Sequence, residues 1–81
     1  MPKRGLDTAT DIMQYIKGKG EFNEQIPTAE LVKLIRIIAG HREDTVRRYL
    51  NLLQTIGYTT PIGNGKVQEI HWDRVDELIG L

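Results

Sequence analysis

The segment 42–57 carries arginine and amide side chains at spacings that place them on one side of a helix. At ~100° per residue the opposite side collects apolar residues, which is the pattern of a helix with one buried face. The polar side comprises Glu43, Asp44, Arg47, Arg48, Asn51 and Gln54, and the apolar side comprises Val46, Tyr49, Leu50, Leu52, Leu53 and Ile56. Because guanidinium and amide groups bind phosphates and base edges, the polar side has the chemistry of nucleic-acid recognition.

The polar side offers different contacts at different positions. Arg47 is centred on it and can bond a guanine with two parallel hydrogen bonds. Asn51, one turn further on, can bond an adenine, while Arg48 lies further round and suits a phosphate. Thr45, near the start of the helix, can bond a phosphate or pack on a thymine methyl group.

Two carboxylates accompany these cations. Glu43 and Asp44 would repel phosphates, but near the start of a helix they favour its dipole and can accept hydrogen bonds from cytosine. A plainer interpretation of the same residues is a solvated helix face on which Glu43 bridges Arg47 at i,i+4.

Composition restricts the class of protein. The chain has 81 residues, 40% hydrophobic and 27% charged, which is typical of a single small globular domain. It lacks cysteine and serine, and no apolar run approaches the ~18 residues of a membrane span. The N-terminal residues lack the apolar core of a signal peptide, so we expect a cytoplasmic protein with no membrane association.

Catalysis and metal binding are not expected. His41 and His71 lie far apart, with no partner at ligand spacing, and no nucleophile–base arrangement is evident. Trp72 is most simply a core residue, and Asp73, Asp76 and Glu77 are expected to cap and solubilise a short helix. We therefore expect no enzyme activity, no metal and no cofactor.

The net charge is zero at pH 7, but charge is unevenly distributed. Cations dominate residues 33–48, and acids dominate residues 69–77. A neutral total can therefore hide one positive face, which is the electrostatic requirement for binding nucleic acid.

Secondary-structure signals surround the central helix. Residues 1–7 are expected to be a flexible tail in which Lys3 and Arg4 can reach a minor groove. The predicted elements are a helix at 8–17, a short strand before Pro27, a helix at 28–39, strands at 58–62 and 67–72, and a helix at 73–79. Thr8 and Asp11 have the spacing of a helix cap, and Thr28 is expected to cap the helix that it begins. Ile37 is expected to face outward from that helix. Gly57 is expected to end the central helix.

The two strands form a predicted hairpin. Asn64 and Gly65 are the strongest short signal for its tip, and they would place Ile62 opposite Val67. Pro61 suits only an edge strand. The pattern leaves open which face of the hairpin is buried, and whether a bulge is needed.

The central sequence AGHREDTVRRYL at 39–50, followed by Leu53, Gly57 and Tyr58, resembles the core of winged helix-turn-helix DNA-binding domains. The resemblance covers roughly residues 8–72 and implies an α+β fold, mainly α, with a three-helix core, a β-hairpin wing and a short C-terminal helix. In this implied fold, residues 8–81 form one domain. Residues 28–57 form the helix-turn-helix, residues 58–72 form the wing, and residues 73–80 form the last helix. Where the family often has a Ser or Thr cap, this chain has His41 and Arg42, so the helix starts either at Arg42 or later, with Asp44 as its cap.

The resemblance implies that the third helix enters the major groove and that Lys66, in the wing, approaches the adjacent backbone or minor groove. We expect double-stranded DNA binding by a small transcriptional regulator or a plasmid or viral DNA-maintenance factor, acting as a homodimer. The expected DNA-binding residues are Lys33, Arg36, His41, Arg42, Glu43, Asp44, Thr45, Arg47, Arg48, Asn51 and Lys66. The alternative is a winged-helix module that binds protein, favoured by the zero net charge and the outward Ile37.

Overall fold

The chain folds into four helices and a small antiparallel sheet. The computed structural model describes residues 5–79, with side chains for residues 7–78. The elements are α1 (Gly5–Lys19), β1 (Gln25–Pro27), α2 (Thr28–Ala39), α3 (Glu43–Thr55), β2 (Thr59–Ile62), β3 (Val67–Ile70) and α4 (Trp72–Ile79). This confirms the expected α+β class, mainly helical, and the predicted order of elements.

Helix α1 begins at Gly5 rather than at Thr8. Thr8 lies inside the helix and is 8% exposed, so the prediction that it caps the helix is wrong. Its side chain belongs to the packed face, which continues through four fully buried residues: Ala9, Ile12, Met13 and Ile16. Residues 1–4 of the predicted tail, including Lys3 and Arg4, lie outside the described residues.

Helix α2 has the predicted bounds, but its capping residue differs from the prediction. Pro27, with ψ 136°, occupies the capping position, and none of the side chains that the structure describes caps the helix. Thr28 is already the first helical residue, and its hydroxyl donates to the carbonyl of Gly65, at 2.6 Å, in the hairpin. The predicted capping role of Thr28 is therefore wrong, because a partner distant in sequence takes its hydroxyl.

The sheet has the strand order β1-β3-β2, with antiparallel pairs throughout. Its register pairs Ile62 with Val67, as predicted, and runs without a bulge to Thr59 opposite Ile70. Pro61 lies on the edge strand β2, where its missing N–H removes no ladder bond. Gln68 and Ile70 are buried, which settles the inward face of the hairpin.

The hairpin tip requires residues that tolerate positive φ. Asn64 and Gly65 have φ of 59° and 80°, the left-handed values that a tight turn between twisted strands demands. The N–H groups of Gly65 and Lys66 donate back to the carbonyls of Ile62 and Gly63, at 3.1 and 3.2 Å. The Asn-Gly signal therefore correctly located the tip.

One buried cluster joins the helices to the sheet. Its members come from α1, α2, α3 and α4, from β1 and β3, and from the start of the hairpin: Ala9, Ile12, Met13, Ile16, Ile26, Leu31, Leu34, Ile35, Val46, Leu53, Tyr58, Ile70 and Val75. Trp72 packs against this cluster but is only half-buried, and its indole N–H donates to the carbonyl of Asn23. It is the first residue of α4, which thus begins one position before the predicted Asp73.

Candidate functional site

A three-residue turn, Gly40 to Arg42, delivers the chain from α2 into α3. Arg42 occupies the capping position with extended backbone and no side-chain cap. Its carbonyl already accepts the N–H of Val46, at 3.0 Å, so the helix begins at Glu43. Asp44 lies inside the first turn, and the alternative in which it caps a later start is wrong.

The end of α3 is fixed by Gly57. With φ of 87°, this residue lets the chain turn back in the left-handed conformation, as predicted. Its N–H donates to the carbonyl of Gln54, at 3.2 Å, and the N–H of Tyr58 to that of Leu53, at 2.9 Å. These two bonds form a Schellman motif. Since Leu53 and Tyr58 are both fully buried, the motif ties the direction of α3 to the core.

The inward side of α3 holds the helix against the rest of the domain. Val46 is 7% exposed and Leu53 fully buried. The predicted apolar side continues through half-buried residues packed against the core, namely Tyr49, Leu50, Leu52 and Ile56. The opposite side of the helix is consequently directed to solvent.

The outward side of α3 is an exposed stripe, as predicted. It comprises Glu43, Asp44, Arg47, Arg48 and Asn51. Within residues 5–79, no ion pair or side-chain hydrogen bond engages Arg47 or Arg48, and the alternative bridge from Glu43 to Arg47 is not formed. Both guanidinium groups are therefore free to bind an external partner.

Two polar residues of α3 are less exposed than the residues of this stripe. Thr45 is half-buried, so less of it is available to a partner than predicted. Gln54 is also half-buried, and its amide donates to the side-chain oxygen of Gln68 at 3.4 Å. The assignment of Gln54 to the open face is thus wrong, because β3 supplies a partner for it.

The other predicted contact residues lie outside α3. His41 and Arg42 are exposed in the turn before α3, and Arg36 is exposed on α2. Lys33, also exposed on α2, pairs with Glu30 at 3.3 Å, an ion pair that solvent weakens. Lys66 has an exposed side chain at the hairpin tip. Across the described chain, the side chains of Arg36, Arg42 and Lys66 have no charged or hydrogen-bonding partner.

A chain of hydrogen bonds joins α3 to the hairpin tip. Gln54 donates to Gln68, Gln68 donates to the Thr28 hydroxyl at 3.2 Å, and Thr28 donates to the carbonyl of Gly65. Gln68, at the centre, is 1% exposed. Sequence reasoning missed this set, although alternation along β3 places Gln68 on the same face as Ile70 and would have indicated its burial.

Acidic side chains collect elsewhere, in an open cleft of about 750 Å³ between the sheet and α4. Its charged and titratable lining is Glu24, Glu69, His71, Asp73, Arg74 and Glu77. Here charged groups do meet: Arg74 pairs with Glu77 at 3.6 Å, and the His71 ring lies 3.8 Å from the Glu69 carboxylate. The cleft is thus acidic, whereas the α3 stripe combines the carboxylates Glu43 and Asp44 with the free cations Arg47 and Arg48.

Other types of site are not found in the part of the chain that the structure describes. Within residues 5–79, no group of three or more His, Cys, Asp or Glu residues is placed to hold a metal ion. None of the helices there combines the length and apolar character that crossing a membrane requires. Comparison with known protein families, characterised proteins and solved structures returned no match to this chain.

Proposed function

We propose that this chain is a winged helix-turn-helix protein that binds double-stranded DNA through the outward side of α3. In this assignment α2 and α3 form the helix-turn-helix, the hairpin of β2 and β3 is the wing, and α4 follows it. The protein would act as a small transcriptional regulator or as a plasmid or viral DNA-maintenance factor, with no enzyme activity of its own.

The observation that carries the proposal is the free pair Arg47 and Arg48 on an exposed helix. A helix with its side chains is ~10–12 Å across, which fits a major groove ~12 Å wide. Arg47 is placed to read a guanine, and Arg48 to contact a phosphate. Exposed guanidinium groups without partners add little to the stability of the fold. Binding to a partner that carries negative charge is therefore the best explanation for their presence.

The elements on either side of α3 also support its proposed role as the recognition helix. A short turn and a direct passage from α3 into the hairpin are the order that the resemblance implies. Further free cations surround the α3 stripe in sequence and can contact phosphates, namely Arg36, Arg42 and Lys66. One module offers few contacts, so we infer a homodimer whose half-sites are ~34 Å apart on a palindromic site.

A second candidate function is a module that binds protein instead of DNA. Ile37, on the outward side of α2, is 64% exposed, and Tyr15 of α1 is 40% exposed. The net charge of zero and the acidic cleft also suit a protein partner. Apolar side chains of this size on a surface are ordinary singly, however, and these two lie on different helices.

Salt dependence separates the two functions. Fluorescence anisotropy with random-sequence duplexes, titrated at several salt concentrations, should give a linear loss of log affinity with log salt. The slope should be ~−0.9 for each phosphate neutralised. No duplex binding at low salt would contradict the proposal, and salt-insensitive capture of a protein would favour the alternative.

A further inference from the structure

The hairpin tip is fastened to the start of α2, not free in solvent. The N–H of Thr28 donates to the carbonyl of Lys66 at 2.9 Å, and the Thr28 hydroxyl donates to the neighbouring Gly65 carbonyl at 2.6 Å. Both bonds join residues far apart in sequence. The position of the Lys66 side chain therefore depends on what holds Thr28.

The Thr28 hydroxyl is held in turn by a buried side chain. Gln68 donates to it at 3.2 Å and accepts from Gln54 of α3 at 3.4 Å. Every bond runs in the same direction, from α3 to the tip, and a chain of this kind polarises each of its members. Since Gln68 is 1% exposed, water is not available to replace either partner.

We propose that Gln68 and Thr28 are positioning residues, which fix the hairpin tip relative to α3 so that Lys66 and the α3 arginines meet a duplex as one rigid surface. This rests on the proposed function and adds a requirement to it. Lys66 contributes its phosphate contact only while the hydrogen-bond chain is intact. The role is distinct from that of Lys66 itself, because neither Gln68 nor Thr28 needs to touch DNA.

The first test uses the free protein. Thr28→Val removes the hydroxyl at nearly constant shape, and Thr28→Ser retains it. In Thr28→Val, amide hydrogen exchange at Gly65 and Lys66 should be about fivefold faster, the factor that the loss of one typical hydrogen bond produces. Thr28→Ser should exchange at the parent rate. The N–H of Ile70, which donates to Glu24 at 2.7 Å at the far end of β3, is the internal control and should not change.

The second test measures binding to a random-sequence duplex as a function of salt. Lys66→Ala should reduce the magnitude of the salt slope by ~0.9, the value of one phosphate contact. Thr28→Val and Gln68→Met should each give a similar reduction, and combining either with Lys66→Ala should reduce it no further. Thr28→Ser should keep the parent slope.

Two results would overturn the positioning role. One is an unchanged exchange rate at Gly65 and Lys66 in Thr28→Val. The other is an additive effect, in which Thr28→Val and Lys66→Ala together reduce the slope by the sum of their separate effects. If the parent binds no duplex, the proposed function fails and with it the role in binding. Exchange in the free protein still decides separately whether the tip is coupled to α2.

Discussion

The two sides of α3 contribute to different properties of the molecule. The inward side includes Val46 and the fully buried Leu53, which pack in the core. The outward side carries Arg47 and Arg48, which have no partner among the described residues. One helix thus supplies both the stability of the domain and its candidate binding surface, and substitutions on its two sides should separate these properties cleanly.

The arginines of the molecule show the same division. Arg74, in the acidic cleft, donates to the carbonyl of Ile56 at 3.2 Å and lies near Glu77. Arg47 and Arg48 have no equivalent contacts within residues 5–79. The cleft therefore collects acidic side chains, whereas the exposed α3 stripe carries its two free arginines beside two carboxylates, Glu43 and Asp44.

The largest effect is expected on the inward side. Leu53→Ala removes a fully buried side chain and should lower the free energy of unfolding by ~2–5 kcal/mol, enough to unfold much of so small a domain. Urea denaturation followed by circular dichroism measures it. Leu50→Ala, at a half-buried position of the same helix, is the matched control and should cost less. Equal losses for both would contradict the deeper burial of Leu53.

The outward side should affect binding instead. Arg47→Ala should weaken binding by ~1–3 kcal/mol at one base position and relax the preference there, while the unfolding midpoint stays unchanged. Competition titrations with duplexes substituted one base pair at a time measure the effect. Lys19→Ala, which removes the same charge from an exposed position on α1, is the control. An equal loss of affinity for all duplexes would indicate that Arg47 contacts a phosphate and not a base.

The junction between α3 and the hairpin gives an intermediate effect. Gly57→Ala forces a side chain into φ of 87°, which should cost ~1–2 kcal/mol of stability. The strain and not crowding should be the cause, because among the described residues a Cβ there would meet only Arg74, at 3.7 Å. Thermal unfolding measures the loss. Gly18→Ala, in α1 at a position where a Cβ would meet no described atom within 4 Å, is the control and should not destabilise.

Local patterns predicted much of this fold. The bounds of α2, the left-handed Gly57 and the pairing of Ile62 with Val67 follow from apolar periodicity and turn chemistry, which act over a few residues. The outward placement of Arg47 and Arg48 follows from the same periodicity.

Local patterns do not predict side-chain positions that depend on contacts between residues far apart in the sequence. The sequence predicts that Thr28 caps its own helix, but its hydroxyl bonds the carbonyl of Gly65. It also predicts that Gln54 faces solvent, but its amide bonds Gln68. A buried glutamine is stable only where partners from other elements meet it. The predicted cap at Thr8 is wrong for a related reason, since its burial depends on the packing of α1 and not on its neighbours in sequence.

The smallest effect is expected from a single phosphate contact on the outward side. Arg48→Ala should weaken binding to all duplexes alike and reduce the magnitude of the salt slope by ~0.9. Anisotropy titrations at several salt concentrations measure it. A change of base preference in this variant would exchange the roles assigned to Arg47 and Arg48.

The most direct test compares the parent with an Arg47→Ala/Arg48→Ala double variant in gel-shift titrations against random-sequence duplexes. We expect the parent to shift the duplexes, and the double variant to bind far more weakly while its circular dichroism spectrum and unfolding midpoint match those of the parent. Equal binding by the two proteins would contradict the recognition role of α3.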